Sequence, residues 1–537
     1  MRQAIFLHFF FGIMASLSLF WVNADDPYRF YTWEITKGTI APLGVPQTGI
    51  LINGLFPGPN IDCVTNDNII INVINKLDDS FLITWNGIQQ RKNSWQDGVL
   101  GTNCPIPPNS NWTYKMQTKD QIGTFTYFPS TLMHRTAGGF GGFNVVERPL
   151  IPVPYDNPAA GFTVLVGDWW KSDSKALKDR LDSGIPFPFP DGILINGHPN
   201  STFFTGEKGQ SYLFRVSNVG LTTSINIRIQ GHPLLLVEVE GCHTMQEVYE
   251  SFDIHVGQSV AFLITLNAQP NGYFIVASTR FTNPILNATA ILRYAGSVSE
   301  ASGPLPIGPT FQIDWSMKQA ITIRSNLTAS AARPNPQGSY HYGTIQVNRT
   351  LVLANSLTRI NGKLRYGVNK VSYIEPDTPL KLADWFNIPG VFNLTTIKDK
   401  PRPVPVTLGT SVIGINLHYF VEIVFQNNKN TIQSWHLDGY AFWTVGFGFG
   451  KWNISMREQY NLVDAPTRYT VQVYPESWSA ILVSADNKGM WNLRSAIWPS
   501  RYLGQQLYLR VWDPVTSLFN EYDPPPNLLL CGKAANL

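Results

Sequence analysis

The chain has 537 residues, too many for one ordinary hydrophobic core, so two to four domains are expected. Charged side chains make up 14% of it, against about a quarter in a typical soluble domain, while aromatics reach 13% and Gly (43) and Pro (38) abound. That balance suits many short strands joined by turns, with few surface helices. A net charge of +3 without any Lys/Arg run gives no support to a nucleic-acid partner.

Taken from its start, residues 1–24 read as a secretory signal peptide. Arg2 is the only charge, residues 5–22 are apolar, and Val22-Asn23-Ala24 resembles a small-residue cleavage site before Asp25. No later apolar run approaches the roughly 20 residues that span a bilayer. The segment around Asn527 to Cys531 lacks the apolar tail of a GPI signal. The expectation is a secreted, extracellular protein with no transmembrane span. Seven Asn-x-Ser/Thr sequons, at Asn111, Asn200, Asn287, Asn326, Asn348, Asn393 and Asn453, agree with export and predict glycosylation. The four cysteines, Cys63, Cys104, Cys242 and Cys531, lack metal-site spacing and favour disulfides, although spacing leaves three pairings open.

A threefold repeat organises the mature chain. Residues 69–75, 212–218 and 421–427 are β-rich strands ending in Asn. Each is followed by a strand closing on Gly (83–87, 227–231, 435–439) and then by a Gly-led aromatic strand (123–128, 272–276, 489–493). Ordered recurrence of this kind predicts three copies of one antiparallel β-sandwich. The expected bounds are 25–148, 155–294 and 310–537, with a Pro-rich linker at 149–154 and a Gly/Ser/Pro-rich one at 296–309. Helix is scarce; residues 172–181 form the best short candidate.

The candidate site centres on Ser434-Trp435-His436-Leu437-Asp438-Gly439. Read as a strand, it sends His436 and Asp438 to one face, the start of a metal site or simply a hydrogen-bonded pair. Together with Asn53-Gly54-Leu55-Phe56-Pro57-Gly58-Pro59 and Lys92-Asn93-Ser94-Trp95-Gln96-Asp97-Gly98, it resembles the plant multicopper oxidases of the ascorbate-oxidase and laccase type. It is more closely similar to their monocopper-oxidase-like branch, which contains skewed-root-growth proteins and pollen-specific ascorbate-oxidase homologues. The resemblance spans the mature chain and implies an all-β fold of three tandem cupredoxin-like domains.

Carried over residue by residue, the family's copper ligands are nearly all missing. Its first-domain His pairs fall on Thr84 and Asn86 and on Phe128 and Ser130. Its third-domain motif falls on Gln433 through Gly439, where His436 survives and Asp438 replaces a ligand. Its His-Cys-His motif falls on Arg494, Ser495 and Ala496, and the last blue-copper His and axial Met fall on Ser500 and Gln505. A blue-copper site needs a thiolate with two imidazoles, and Ser495 offers no sulfur. The expectation is therefore no cofactor, no catalytic residue and no oxidase chemistry. The vacated cluster is expected to close through an Asp438–Arg494 ion pair, with Asn86 and His436 beside it, at the interface of the first and third domains. His134 is expected to be structural.

The same resemblance implies a Cys104–Cys531 bridge, leaving Cys63 and Cys242 to pair with each other or to stay as small buried residues. It also implies a non-enzymatic apoplastic role in cell-wall-linked directional or tip growth. Two readings compete with that one. The first is a residual oxidoreductase with one copper at His436, although His198, His232, His243, His255, His341 and His418 share no spacing. The second is a scaffold binding pectin-like polysaccharide through its mild basic balance or through Trp169, Trp170 and Trp443. Oligomeric state is left open.

Overall fold

The computed structural model describes residues 27–149, 151–327, 346–515 and 517–537. The signal-peptide reading, His341 and parts of the proposed 149–154 linker and third domain lie outside these residues. What is described is three β-sandwiches in tandem. The first pairs two four-stranded sheets built between Tyr28 and Val146, the second a six- and a five-stranded sheet between Ala160 and Tyr294, and the third an eight- and a five-stranded sheet between Arg349 and Trp512.

The repeat seen in the sequence is structural in each copy. Asn68–Asn75, Ser211–Asn218 and Phe420–Asn427 are inner strands, and the terminal Asn does the same job every time. Its side-chain oxygen accepts from the backbone N–H two residues on (Leu77, Gly220, Lys429), forming an Asx turn. Its amide donates to carbonyls elsewhere in the same sandwich: Asp79 and Ile106, Thr223 and Ile254, and Thr431, Val473 and Tyr474. A buried Asn thus turns the chain and clips it down, which Asp, with no donor when ionised, and Ser, with a single O–H, cannot match. The following strands, Ile83–Asn86 and Gln433–Leu437, run into Gly87 and Gly439 at φ 94° and 80°. A Cβ there would stand 2.5 Å from the Tyr469 ring and 2.4 Å from Trp491, so only glycine lets the sandwiches close.

Some expectations are corrected, and others are decided between their alternatives. The helix runs Ser174–Asp182 rather than 172–181, because Asp173 caps it by accepting from the Ala176 N–H at 2.8 Å. Helices Ile313–Thr322, Leu380–Trp385 and Trp498–Tyr502 were not foreseen. Cys63 and Cys242 do not pair; each is a free, buried thiol, and burial pushes the Cys63 pKa up to about 12. Trp169, Trp170 and Trp443 are core residues at 4%, 3% and 1% exposure, so none offers a face to a sugar. Six sequon asparagines are exposed and Asn326 is half-buried.

The sandwiches are locked together by polar contacts. Tyr469 of the third donates through its hydroxyl to the Thr124 carbonyl of the first and to Ser259 of the second. Glu240 of the second pairs with Arg468 and accepts from the Tyr469 and Thr470 amides. The C-terminal tail returns to the first sandwich, where Cys531 bridges to Cys104.

Candidate functional site

Three strands bring the site together. Ile83–Asn86 supplies Asn86 from the first sandwich, while Gln433–Leu437 and Gly489–Ser495 are antiparallel neighbours in the third. Their register sets His436 directly opposite Arg494, so the two side chains meet on one face. Asp438, two residues on, projects to that same face, as period-2 alternation requires.

The four residues form one buried network. Arg494 donates through Nη1 to Asp438 Oδ2 and reaches Asn86 Oδ1 through Nη2 at 3.5 Å. His436 Nε2 stands 2.9 Å from Asp438 Oδ1, and its Nδ1 stands 2.8 Å from the Thr470 hydroxyl. Asn86 donates to the Gly257 carbonyl of the second sandwich at 3.4 Å, so all three domains touch the knot. Asp438 and Arg494 are each 2% exposed and His436 is 1%.

The charges organise around Asp438. Burial acts to raise its pKa, but the Arg494 guanidinium and the His436 hydrogen bond outweigh burial and hold it below the usual carboxylate range. Asp97, from the Trp95-Gln96-Asp97-Gly98 motif, is driven the other way: burial and the neighbouring Asp438 charge push it well above that range. Burial first, and the like charge of Arg494 second, lower His436 to about 4. At neutral pH the ring is uncharged, donating from Nε2 to Asp438 and accepting from Thr470 at Nδ1. Two further guanidinium groups ring the pair. Arg135 lies over the Phe128 ring at 3.8 Å and Arg501 over Trp498 at 4.3 Å; burial and then Arg494 depress both, Arg135 to about 9.

The remaining candidate positions sit apart from this knot. Thr84 is buried on Ile83–Asn86 with its hydroxyl unbonded. Phe128 packs under Arg135, and Ser130 donates to the Gly98 carbonyl while its own carbonyl accepts from Arg501. Gln505 donates to Gln433 at 3.4 Å, and Gln433 accepts from the Trp435 indole at 3.1 Å. Ser495 is buried with an unbonded hydroxyl, Ala496 is core, and Ser500 is half-buried in Trp498–Tyr502. His134 bonds Thr131 at 2.8 Å and stacks on Phe81.

These residues do not fit copper. Both nitrogens of His436 are taken by hydrogen bonds, a guanidinium fills the space beside it, and Ser495, Gln433 and Gln505 supply neither thiolate nor imidazole. Sequence reasoning reached Asp438, Arg494, Asn86 and His436 but missed Asp97, Thr470, Arg135 and Arg501. Asp97 lay in a quoted motif, but nothing local marks its contact with Asp438.

The multicopper oxidase family matches the chain three times, over residues 34–149, 161–297 and 377–517. An L-ascorbate oxidase homologue of Nicotiana tabacum is 51% identical over 523 residues, 95% of this chain and 94% of its own length. The chain belongs to the multicopper oxidase family. A monocopper oxidase-like protein of Arabidopsis thaliana is 48% identical over 547 residues, covering 97% of this chain and 93% of its own. The multicopper oxidase Fet3p, solved by crystallography, superposes with a TM-score of 0.76 at 20% identity over 90% of each chain, a likeness of fold.

The site carries a pH prediction. His436 titrates near 4 in the folded protein and at its ordinary 6.5 when unfolded. As pH falls below 6.5 the unfolded chain takes up a proton that the folded chain refuses, so stability declines until about pH 4 and then levels. The loss is on the order of 3 kcal/mol. Asp438, held below its ordinary 3.8, extends the decline at lower pH. Thermal melts of His436→Gln between pH 7 and 4 should show a shallower decline than wild type. His255, whose pKa burial lowers well below its ordinary value, keeps its own share in both proteins. Parallel profiles would refute the assignment.

Proposed function

We propose that this chain is a secreted, glycosylated plant member of the multicopper oxidase family that has given up copper and oxidase chemistry, acting in the apoplast in cell-wall-linked directional or tip growth. One observation carries the reading: a closed ion-pair knot, Asp438–Arg494 with His436 and Asn86, stands where the family's motifs would place metal ligands. Four-electron reduction of oxygen needs coppers linked through a thiolate, and the Ser495 hydroxyl cannot take that part. A guanidinium in the cluster, with Arg135 and Arg501 nearby, opposes any cation there by charge alone. What remains is a three-domain body clamped by Tyr469, Glu240 and a disulfide, suited to holding a surface in fixed geometry rather than to turnover. Six exposed sequon asparagines support glycosylation and export.

The likeness to a monocopper oxidase-like protein of Arabidopsis favours one copper per chain as a second reading. Both are tested on protein purified from the medium of transfected plant cells. The expected material runs heavier before than after glycosidase treatment, holds no stoichiometric copper, lacks a blue absorption band and turns over neither ascorbate nor phenols. Bound copper with oxidase turnover would reject the proposal. Absence from the medium would reject its secreted half.

A further inference from the structure

A second cluster of ligating side chains lies away from the vestigial copper positions, at the junction of the first two sandwiches. Among the described residues, the donor atoms of Glu147, Glu238 and His243 are the one group of three that fall within 4.8 Å of one another. Glu147 ends the outgoing strand of the first sandwich, just past Gly141–Val146. Glu238 and His243 lie on the paired strands Leu234–Val239 and Cys242–Tyr249 of the second and are direct cross-strand partners. A bulge between Leu236 and Glu238 shifts the register there, the sort of irregularity that re-aims a side chain.

The cluster is buried, and several of its polar atoms lack a hydrogen-bond partner. The side chains of Glu238 and His243 are fully buried and Glu147 is 9% exposed. Neither ring nitrogen of His243 makes a hydrogen bond, nor does Glu147 Oε1 or Glu238 Oε2. His243 Nε2 nevertheless stands 3.1 Å from Glu147 Oε1, close but without hydrogen-bond alignment. Two donors that share a zinc ion at about 2 Å each stand about 3 Å apart. The cationic neighbour is Arg215, whose Nη1 is 3.7 Å from Glu238 Oε2 and 3.1 Å from the Thr124 hydroxyl; the Tyr155 ring covers His243 edge-on at 5.8 Å. Glu147 and Glu238 thus share Arg215 as their guanidinium neighbour.

We propose that Glu147, Glu238 and His243 bind a divalent zinc-type cation that pins the first sandwich to the second. The donor set of one imidazole and two carboxylates, with water completing the shell, is one that zinc accepts, whereas it holds no sulfur for a blue-copper centre. Its role is structural, tying Glu147 of the first sandwich to Glu238 and His243 of the second, and the proposal stands whether or not the vestigial cluster is copper-free.

The test uses the full secreted chain, stripped with a chelator, dialysed and titrated with Zn2+ alone. One equivalent should bind per chain and raise the melting temperature. His243→Gln and Glu238→Gln should each weaken binding by at least the 10–100-fold that even an outer-sphere change causes, while His198→Gln, at an exposed histidine, leaves it unchanged. If either site variant does not fold, X-ray absorption of the Zn-loaded wild-type chain decides. A shell of one imidazole with oxygens supports the site; sulfur or several imidazoles overturns it. Failure of the wild-type chain to bind, or binding that survives both substitutions, also overturns it.

Discussion

Asp438→Asn is expected to destabilise the protein by about 3–5 kcal/mol, the usual result of removing one partner from a buried pair. Arg494 donates to this carboxylate, His436 bonds it at 2.9 Å, and Arg135 and Arg501 feel Arg494 as a like charge. Without Asp438 the buried Arg494 loses its counter-charge and Arg501 one of the negative charges it feels. The converse change, Arg494→Met, should cost less. It removes a cation from the neighbourhood of His436, whose pKa then rises, and the ring can protonate to partner Asp438 in its place. Raising the folded-state pKa of His436 toward its ordinary 6.5 narrows the range in which only the unfolded chain takes up that proton, so Arg494→Met should also flatten the decline between pH 6.5 and 4. The double replacement Asp438→Leu/Arg494→Met should recover most of the lost stability, because an apolar pair of similar volume needs no compensation. Denaturant or thermal melts of the three variants check this order. Equal losses in both single variants, with no recovery in the double, would mean that packing rather than charge holds the knot.

Opening the Cys104–Cys531 bridge with a Cys104→Ala/Cys531→Ala variant is expected to cost about 2–5 kcal/mol. The two residues are 427 apart in sequence, so the bond removes many conformations from the unfolded chain. The folded tail has other anchors that temper the loss. The Trp95 indole donates to the Tyr522 carbonyl at 3.0 Å, Trp112 to Asn527 at 2.7 Å, and Asn527 returns a bond to Thr113 at 3.0 Å. Lys381, buried between Trp95 and Trp385, pairs with Glu521 at 2.5 Å. The variant should thus keep its fold while melting earlier, and limited proteolysis should release the tail first. An unchanged melting profile would show that these anchors alone define the tail.

How far the sequence carries is clearest at particular residues. The strands were readable because alternation and the closing Asn and Gly recur three times, and both signals are local. The Asn at 75, 218 and 427 marks a turn, since its own side chain makes that turn. The Asp438–Arg494 pairing was readable as well, through the positions that both residues occupy in a known motif. For Trp169, Trp170 and Trp443 a core place was the more common expectation and a sugar-binding face the alternative, and burial decides for the core, because composition does not say which side of a sheet is covered.

From the sequence by itself came the fold class and the residue types at the positions that match the family's motifs, Ser495 and Asp438 among them: donor identity is a property of the residue and survives any arrangement. Only the tertiary structure decided that Asp97 feels the Asp438 charge, that Arg135 and Arg501 feel Arg494, that Cys63 and Cys242 stay apart, and that Glu147 meets Glu238 and His243. Each of those depends on burial and on distances between residues far apart in the chain. Charge state and coordination are set by such neighbours, and no local pattern records them.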